Sequence, residues 1–220
     1  MPAAVIFDLD GVLMDSEQRW NGAKEALVRD AGGSWRDEAP TVMMGMSSTE
    51  WAAYLRDDLG VPMDVQAISR EVVQRMEDGY RQSLPLLRGA DEAVRALAGR
   101  WPLGLASSSN REIIDLVLEL AGFGDAFRVT VSSEEVERGK PAPDVYLEAA
   151  RRLGAAPARC VAIEDSSNGL RSAHAAGMAV IAVPNPHYPP APEALALAGA
   201  SVAVVGEVTP ELVERVAGEA

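Results

Sequence analysis

From residue 88 onward the chain alternates between amphipathic segments and short, nearly unbroken apolar runs, and this alternation restricts the fold more than any other feature. ADEAVRALAGR precedes PLGLAS, and NREIIDLVLELAG precedes a strand-like stretch from Phe127 to Val131. The pattern continues with PDVYLEAARRLG, CVAIED, NGLRSAHAAG, AVIAVP, an Ala-rich segment, SVAVVG and PELVERVAG. Apolar residues at helical spacing predict helices, whereas short runs without polar alternation predict strands covered on both faces. Such strands, joined through helices, form a parallel sheet because each crossover lays a helix back over it. The expected fold class is α/β, with a doubly wound parallel sheet.

The region between Ser16 and Leu87 breaks the rhythm. SEQRWNGAKEALVRDAG, SSTEWAAYLRDDLG and DVQAISREVVQRMEDGYRQSL read as three successive helices with no strand between them. A helical insertion after the first strand is expected, dividing the chain into a core of residues 1–15 and 88–220 and a helical domain of residues 16–87. The closely spaced prolines of VPNPHYPPAP predict a stiff surface loop.

Composition narrows the function. With 48% hydrophobic residues the 220-residue chain has ample material for a packed core. A net charge of −13 argues against nucleic acid or an anionic membrane as partner, so an anionic substrate would need a locally positive site. The single cysteine, Cys160, cannot form an internal disulfide and reads as a buried strand residue. The first apolar run, Val5 to Phe7, is too short to span a membrane and lacks the basic flank of a signal peptide, so a cytoplasmic setting is expected. Of the 20 basic residues only two, Lys24 and Lys140, are lysines. An ammonium is a compact point charge that a guanidinium does not replace, although for Lys24 chance is the preferred reading.

In open parallel sheets functional groups gather at the carboxyl ends of the strands. FDLDG places Asp8 and Asp10 at the end of the first strand, where two close carboxylates need a cation, a shared proton or a cationic neighbour. LASSSN ends the next strand at Ser107, and Ser108, Ser109 and Asn110 open a helix that could receive an anion. Glu164 and Asp165 end CVAIED, and oxygen ligands from both acidic pairs would suit Mg²⁺. Lys140 lies on a loop before PAPD, where it could neutralise a carboxylate and a phosphate. Each signal has a plainer alternative: helix or turn capping for the acids, serines and asparagine, and a solvated surface position for the lysine.

In order, FDLDGVLMDSE, LASSSN, GKPAPDVY and IEDSSNG resemble the four motifs of the haloacid dehalogenase superfamily, in its phosphatase and β-phosphoglucomutase-like branch with a helical cap after the first motif. The resemblance covers almost the whole chain and implies a Rossmann-like core. It also implies Asp8 as the nucleophile toward phosphorus and Asp10 as the acid and base. Mg²⁺ would lie between Asp8, the Asp10 backbone carbonyl and Asp165, with Glu164 as a further or water-mediated ligand. Ser107, the Ser108 backbone and Lys140 would hold phosphoryl oxygens, beside Ser109 and Asn110. MGMSSTEW resembles the cap loop that meets the active site in relatives, which makes Gly45, Ser47 and Trp51, together with Trp20, the expected cap contacts to substrate. Most of Trp20, Trp35, Trp51 and Tyr54 are expected to pack inside the cap, with Trp20 and Trp51 the better placed of the four to touch substrate.

Departures from the family patterns discriminate among its reactions. True dehalogenases lack the second aspartate, which is present here as Asp10. Phosphonate-cleaving relatives carry a lysine near the cap loop, which here has serines. The mutases carry a histidine near the start of the first cap helix, whereas His174 and His187 lie outside the cap. The resemblance therefore implies a Mg²⁺-dependent phosphatase of a small phosphorylated metabolite, compatible with a monomer. A sugar-phosphate mutase is second, and a non-catalytic phosphate-binding module third.

Overall fold

The structure, a computed structural model, describes residues 1–43 and 46–219. Its elements in chain order are β1 (Ala4–Phe7), α1 (Glu17–Asp30), α2 (Ala39–Val42), α3 (Ser48–Asp57), α4 (Val65–Gln82), α5 (Ala90–Ala98), β2 (Leu103–Ser107) and α6 (Arg111–Ala121). There follow β3 (Phe127–Ser132), α7 (Asp144–Leu153), β4 (Cys160–Glu164), α8 (Ser167–Ala175), β5 (Ala179–Ala182), α9 (Pro192–Leu195), β6 (Ala200–Ser201) and α10 (Pro210–Glu219). The chain divides into two compact units, Met1–Asp15 with Pro85–Ala220, and Ser16–Leu84.

The first unit holds a six-stranded sheet in the order β3-β2-β1-β4-β5-β6, with every pairing parallel. Ala4, Ile6, Ala162 and Val180 join the buried cluster formed with Val145, Tyr146 and Ala149 of α7 and Leu170 and Ala173 of α8. The alternate residues Val5, Phe7, Val161, Ile163 and Ile181 are equally buried, so both faces are covered and the strands read as continuous apolar runs. Strand order reverses at β1: β2 and β3 lie on one side, β4 to β6 on the other. This is the topological switch point at which open sheets of this kind place their ligands. Where the chain leaves and re-enters the unit, Asp15 N–H donates to the Pro85 carbonyl and Leu87 N–H to the Leu13 carbonyl.

The second unit, within its described residues, is helical, with α1 and α3 each packed against α4. It contains α2, a short turn that the sequence pattern does not signal, begun where Pro40 is compatible with a first helical turn. α3 starts with a reciprocal capping box between Ser47 and Glu50, and α4 with Asp64 accepting from Ala67 N–H.

One expected strand is largely absent. SVAVVG contributes only its first residue to β6, and a 3₁₀ turn occupies Val205–Glu207. The edge position gives the segment a single partner, β5, and the backbone of Gly206 packs instead against Gly89, where a Cβ would collide. The 183–191 loop is irregular as expected, with the Asn185 side chain accepting from the amides of His187 and Tyr188, and Pro192 opens the short α9. Cys160 is buried in β4, and burial pushes its thiol up to about 11, as suits an inert packing residue.

Candidate active site

The site is assembled from the ends of the central strands. Asp8 lies one residue beyond β1 and its N–H still donates to the Ile163 carbonyl of β4 at 3.0 Å, so the sheet ladder fixes its backbone. Gly11 then turns the chain at φ +78°, and a Cβ there would overlap the Asp165 carboxylate, so only glycine lets the two acidic loops approach. On the other side of the switch, Glu164 closes β4, and a Cβ at Gly169 of α8 would overlap its carboxylate.

Lys140 joins the two acidic loops. Its Nζ lies 2.8 Å from Asp8 Oδ1 and 2.5 Å from Glu164 Oε1, and its side chain is 5% exposed. The loop carrying it is tied down by the Ser172 hydroxyl, which donates to the Ala142 carbonyl at 2.6 Å. A solvated lysine is therefore ruled out. Burial lowers the lysine's affinity for its proton, but the Asp8 and Glu164 charges outweigh it and hold the ammonium above its ordinary pKa. Asp8 is pushed up to about 7, mainly by burial, against the attraction of Lys140 and with the repulsion of Glu164 and Asp10.

Glu164 has its acceptor positions engaged. Oε1 accepts from Lys140 and from the buried Tyr146 hydroxyl at 3.0 Å, and Oε2 accepts from the N–H groups of Asp165 and Ser166 and from the Ser166 hydroxyl. Ser166, not an acid, caps α8. Asp8, Glu164 and Asp165 nevertheless each bring a carboxylate oxygen within 4.8 Å of the others, a buried oxygen cluster of the kind that holds a hard cation.

At the end of β2, Ser107 is fully buried and its Oγ accepts from Ser109 N–H at 3.0 Å. The Ser109 hydroxyl donates to Asp10 Oδ2 at 2.6 Å. Asn110 occupies the N-cap of α6, but its side chain makes no capping bond; it donates to Glu134, whose other oxygen accepts from Arg111 N–H. The capping alternative thus fails for Asn110, because a carboxylate from the turn after β3 does that work.

These bonds and the acidic cluster join Asp8, Lys140, Glu164 and Asp165 in one group and Asp10, Ser107 and Ser109 in another, and the Asp10 charge acts on Asp8. Ser108 and Asn110 flank Ser109, and the Ser108 carbonyl accepts from the Ser133 hydroxyl. The expected cap contacts belong to the other unit. Ser47 spends its side chain on the α3 cap, and the Trp20 and Trp51 rings pack 6.4 Å apart; Gly45 lies outside the described residues. Lys24, read from sequence as chance, has its Nζ 5.7 Å from the Trp20 ring centre and 4.9 Å from that of Trp51. The sequence reading missed Tyr146, Ser132 and Glu134. Tyr146 alone carried a signal: a tyrosine on the buried face of a helix needs a partner for its hydroxyl.

Carboxylates, hydroxyls and one buried ammonium thus converge on the strand ends of a doubly wound sheet. The sequence model of the haloacid dehalogenase-like hydrolases matches residues 5–183, and the chain belongs to that family. It is 36% identical over 189 residues to hexitol phosphatase B of Escherichia coli K12, covering 83% of this chain and 84% of that one. CbbY from Rhodobacter sphaeroides, solved in complex with phosphate, superposes with a TM-score of 0.87 at 26% identity, covering 97% of this chain and all of that one. The β-phosphoglucomutase of Clostridium difficile superposes at 0.84 with 23% identity over 100% of this chain and 98% of that one, a likeness of fold. The protein is a hydrolase of phosphate monoesters.

Proposed function

We propose that the protein is a Mg²⁺-dependent phosphatase of a small phosphorylated metabolite, with sugar phosphates the leading class, acting through an aspartyl phosphate on Asp8. The observation that carries this reading is the buried contact of 2.8 Å between Lys140 Nζ and Asp8 Oδ1 at the switch point of the sheet. The sugar-phosphate class rests on the likeness to hexitol phosphatase B.

The donor set fits a divalent cation. Asp8, Asp10, Glu164 and Asp165 outnumber the one ammonium among them, and Asp8, Glu164 and Asp165 offer hard oxygen atoms at mutual reach. Asp8, Asp165 and the Asp10 backbone carbonyl would hold Mg²⁺; Glu164, with Oε1 engaged by Lys140 and Tyr146 and Oε2 by Asp165 and Ser166, would support the site through those bonds. When bound, the ion supplies positive charge to the non-bridging phosphoryl oxygens.

The remaining work falls to the chain's own groups. An Asp8 carboxylate oxygen forms a bond to phosphorus while the ester P–O bond breaks, and the Asp10 carboxyl gives its proton to the departing oxygen. Water then attacks the phosphorus of the acyl phosphate and loses a proton to Asp10, releasing phosphate and restoring Asp8. Lys140 and the hydroxyl and amides at 107–108 would hold the phosphoryl oxygens as charge moves toward the leaving group.

The test is phosphate release from an aryl phosphate and a panel of sugar phosphates, with Mg²⁺ or EDTA. Release should require Mg²⁺ and fall by about 10⁴-fold or more in Asp8→Asn. Undiminished release from that variant would overturn the covalent reading, and an isomerised sugar phosphate in place of free phosphate would make the enzyme a mutase.

A further inference from the structure

Asp10 is gripped from the neighbouring strand end. The Ser109 hydroxyl donates to Asp10 Oδ2 at 2.6 Å between residues 99 positions apart. Ser109 is itself fixed on both sides of its backbone. Its N–H donates to Ser107 Oγ at 3.0 Å, and its carbonyl accepts from the Ser132 hydroxyl at 2.7 Å. Ser107 and Ser132 are fully buried and Ser109 nearly so. These residues end or follow β2 and β3, and Asp10 follows β1, so the connection runs laterally across three adjacent strands.

A hydroxyl has one proton to donate. While Ser109 gives it to Asp10, it offers none to a phosphoryl oxygen. A general acid must stand within hydrogen-bond reach of the atom it protonates, and small misplacements are expensive in rate. We propose that Ser109 is a positioning residue that sets the orientation of the Asp10 carboxyl toward the leaving oxygen, with Ser107 and Ser132 holding Ser109 in place. This rests on the reading of Asp10 as the acid. The proton that Asp10 gives to the leaving oxygen is its own; the Ser109 proton stays on Ser109.

The discriminating variable is how much the leaving group needs a proton. A nitrophenolate departs readily without one, whereas a sugar alkoxide does not, and kcat/KM reports only steps through departure. Ser109→Ala should lower kcat/KM for a sugar phosphate about tenfold further than for nitrophenyl phosphate, a fraction of the full value of acid catalysis. Ser109→Thr, which keeps the hydroxyl, should bring the ratio back toward wild type. Ser132→Ala, which leaves the Ser109 hydroxyl but removes its support, should move the ratio the same way by less, and serves if Ser109→Ala does not fold.

Equal proportional losses on both substrates in Ser109→Ala, or in Ser132→Ala where that variant stands in, would overturn the proposal and make these serines phosphoryl-binding or structural. Asp10→Asn separates the two levels. Selective loss of the sugar phosphate there, with equal losses in Ser109→Ala, defeats the positioning role alone. Equal losses in Asp10→Asn defeat Asp10 as the acid, and the proposal with it.

Discussion

In the core, Lys140 is 5% exposed and shared by Asp8 and Glu164, partners 132 and 24 residues away. In the helical unit, Arg29 is 68% exposed and pairs with Glu25 one turn earlier. The contrast extends to other bonds in the two regions. The strand ends hold buried polar groups on partners from distant parts of the chain, whereas the ion pairs of the helices lie mostly on the surface at i,i+4 spacing. Removing charges from water costs more than their attraction reliably returns, so a stability requirement alone would not produce the core arrangement. The proposed phosphoryl chemistry would account for it. The ion pairs of the helical unit lie mostly at its surface, where each contributes little, and its buried charge, Lys24, lies against the Trp20 and Trp51 rings.

The largest expected effect lies in the core. Lys140→Ala leaves two buried carboxylates without their shared cation and should destabilise the protein by about 3–5 kcal/mol, read from urea unfolding in EDTA. A loss near zero would erase the distinction between the regions.

Glu135 extends the comparison to pH. Burial pushes its carboxyl up, but the Ser132 amide, then Arg111 and Arg152, outweigh it and bring it down to about 2 from 4.5. A depressed folded pKa stabilises fully above the unfolded value and is lost as pH falls through the folded one. The stability advantage of wild type over Glu135→Gln should therefore be full above about pH 5 and shrink toward pH 2. An advantage that does not change over that range would show that these partners do not set the titration.

Smaller effects belong to the helical unit. Asp64→Ala removes the cap of α4 and should cost about 1 kcal/mol with activity retained per folded molecule. Glu25→Gln should change stability by less than about 0.5 kcal/mol, and 1 M salt should remove even that difference.

Much of the fold was legible because burial writes itself into sequence as periodicity. Strands covered on both faces, such as CVAIE and AVIA, cannot be mistaken for amphipathic ones. SVAVVG failed for the opposite reason: its composition suits a strand, but an edge offers one partner, and the contact between Gly206 and Gly89 is invisible to any local pattern. At the site, Asp8, Asp10, Lys140 and the Glu164 and Asp165 pair stood out because acids and a lone lysine beside apolar strand ends demand an explanation. Their supporting residues did not. Ser132 and Glu134 look like ordinary turn residues, and only tertiary structure brings them to Ser109 and Asn110.

The position of β1 has a consequence for motion. It is hydrogen-bonded on one side to β2 and on the other to β4, whereas β6 has a single neighbour and two residues. Native-state hydrogen exchange should find the amides of Val5 to Asp8 opening only when the whole core unfolds, while those near β6 exchange through local fraying. The proposed nucleophile thus stands on the part of the sheet expected to open last, and thermal fluctuations at the edge can proceed while its alignment persists.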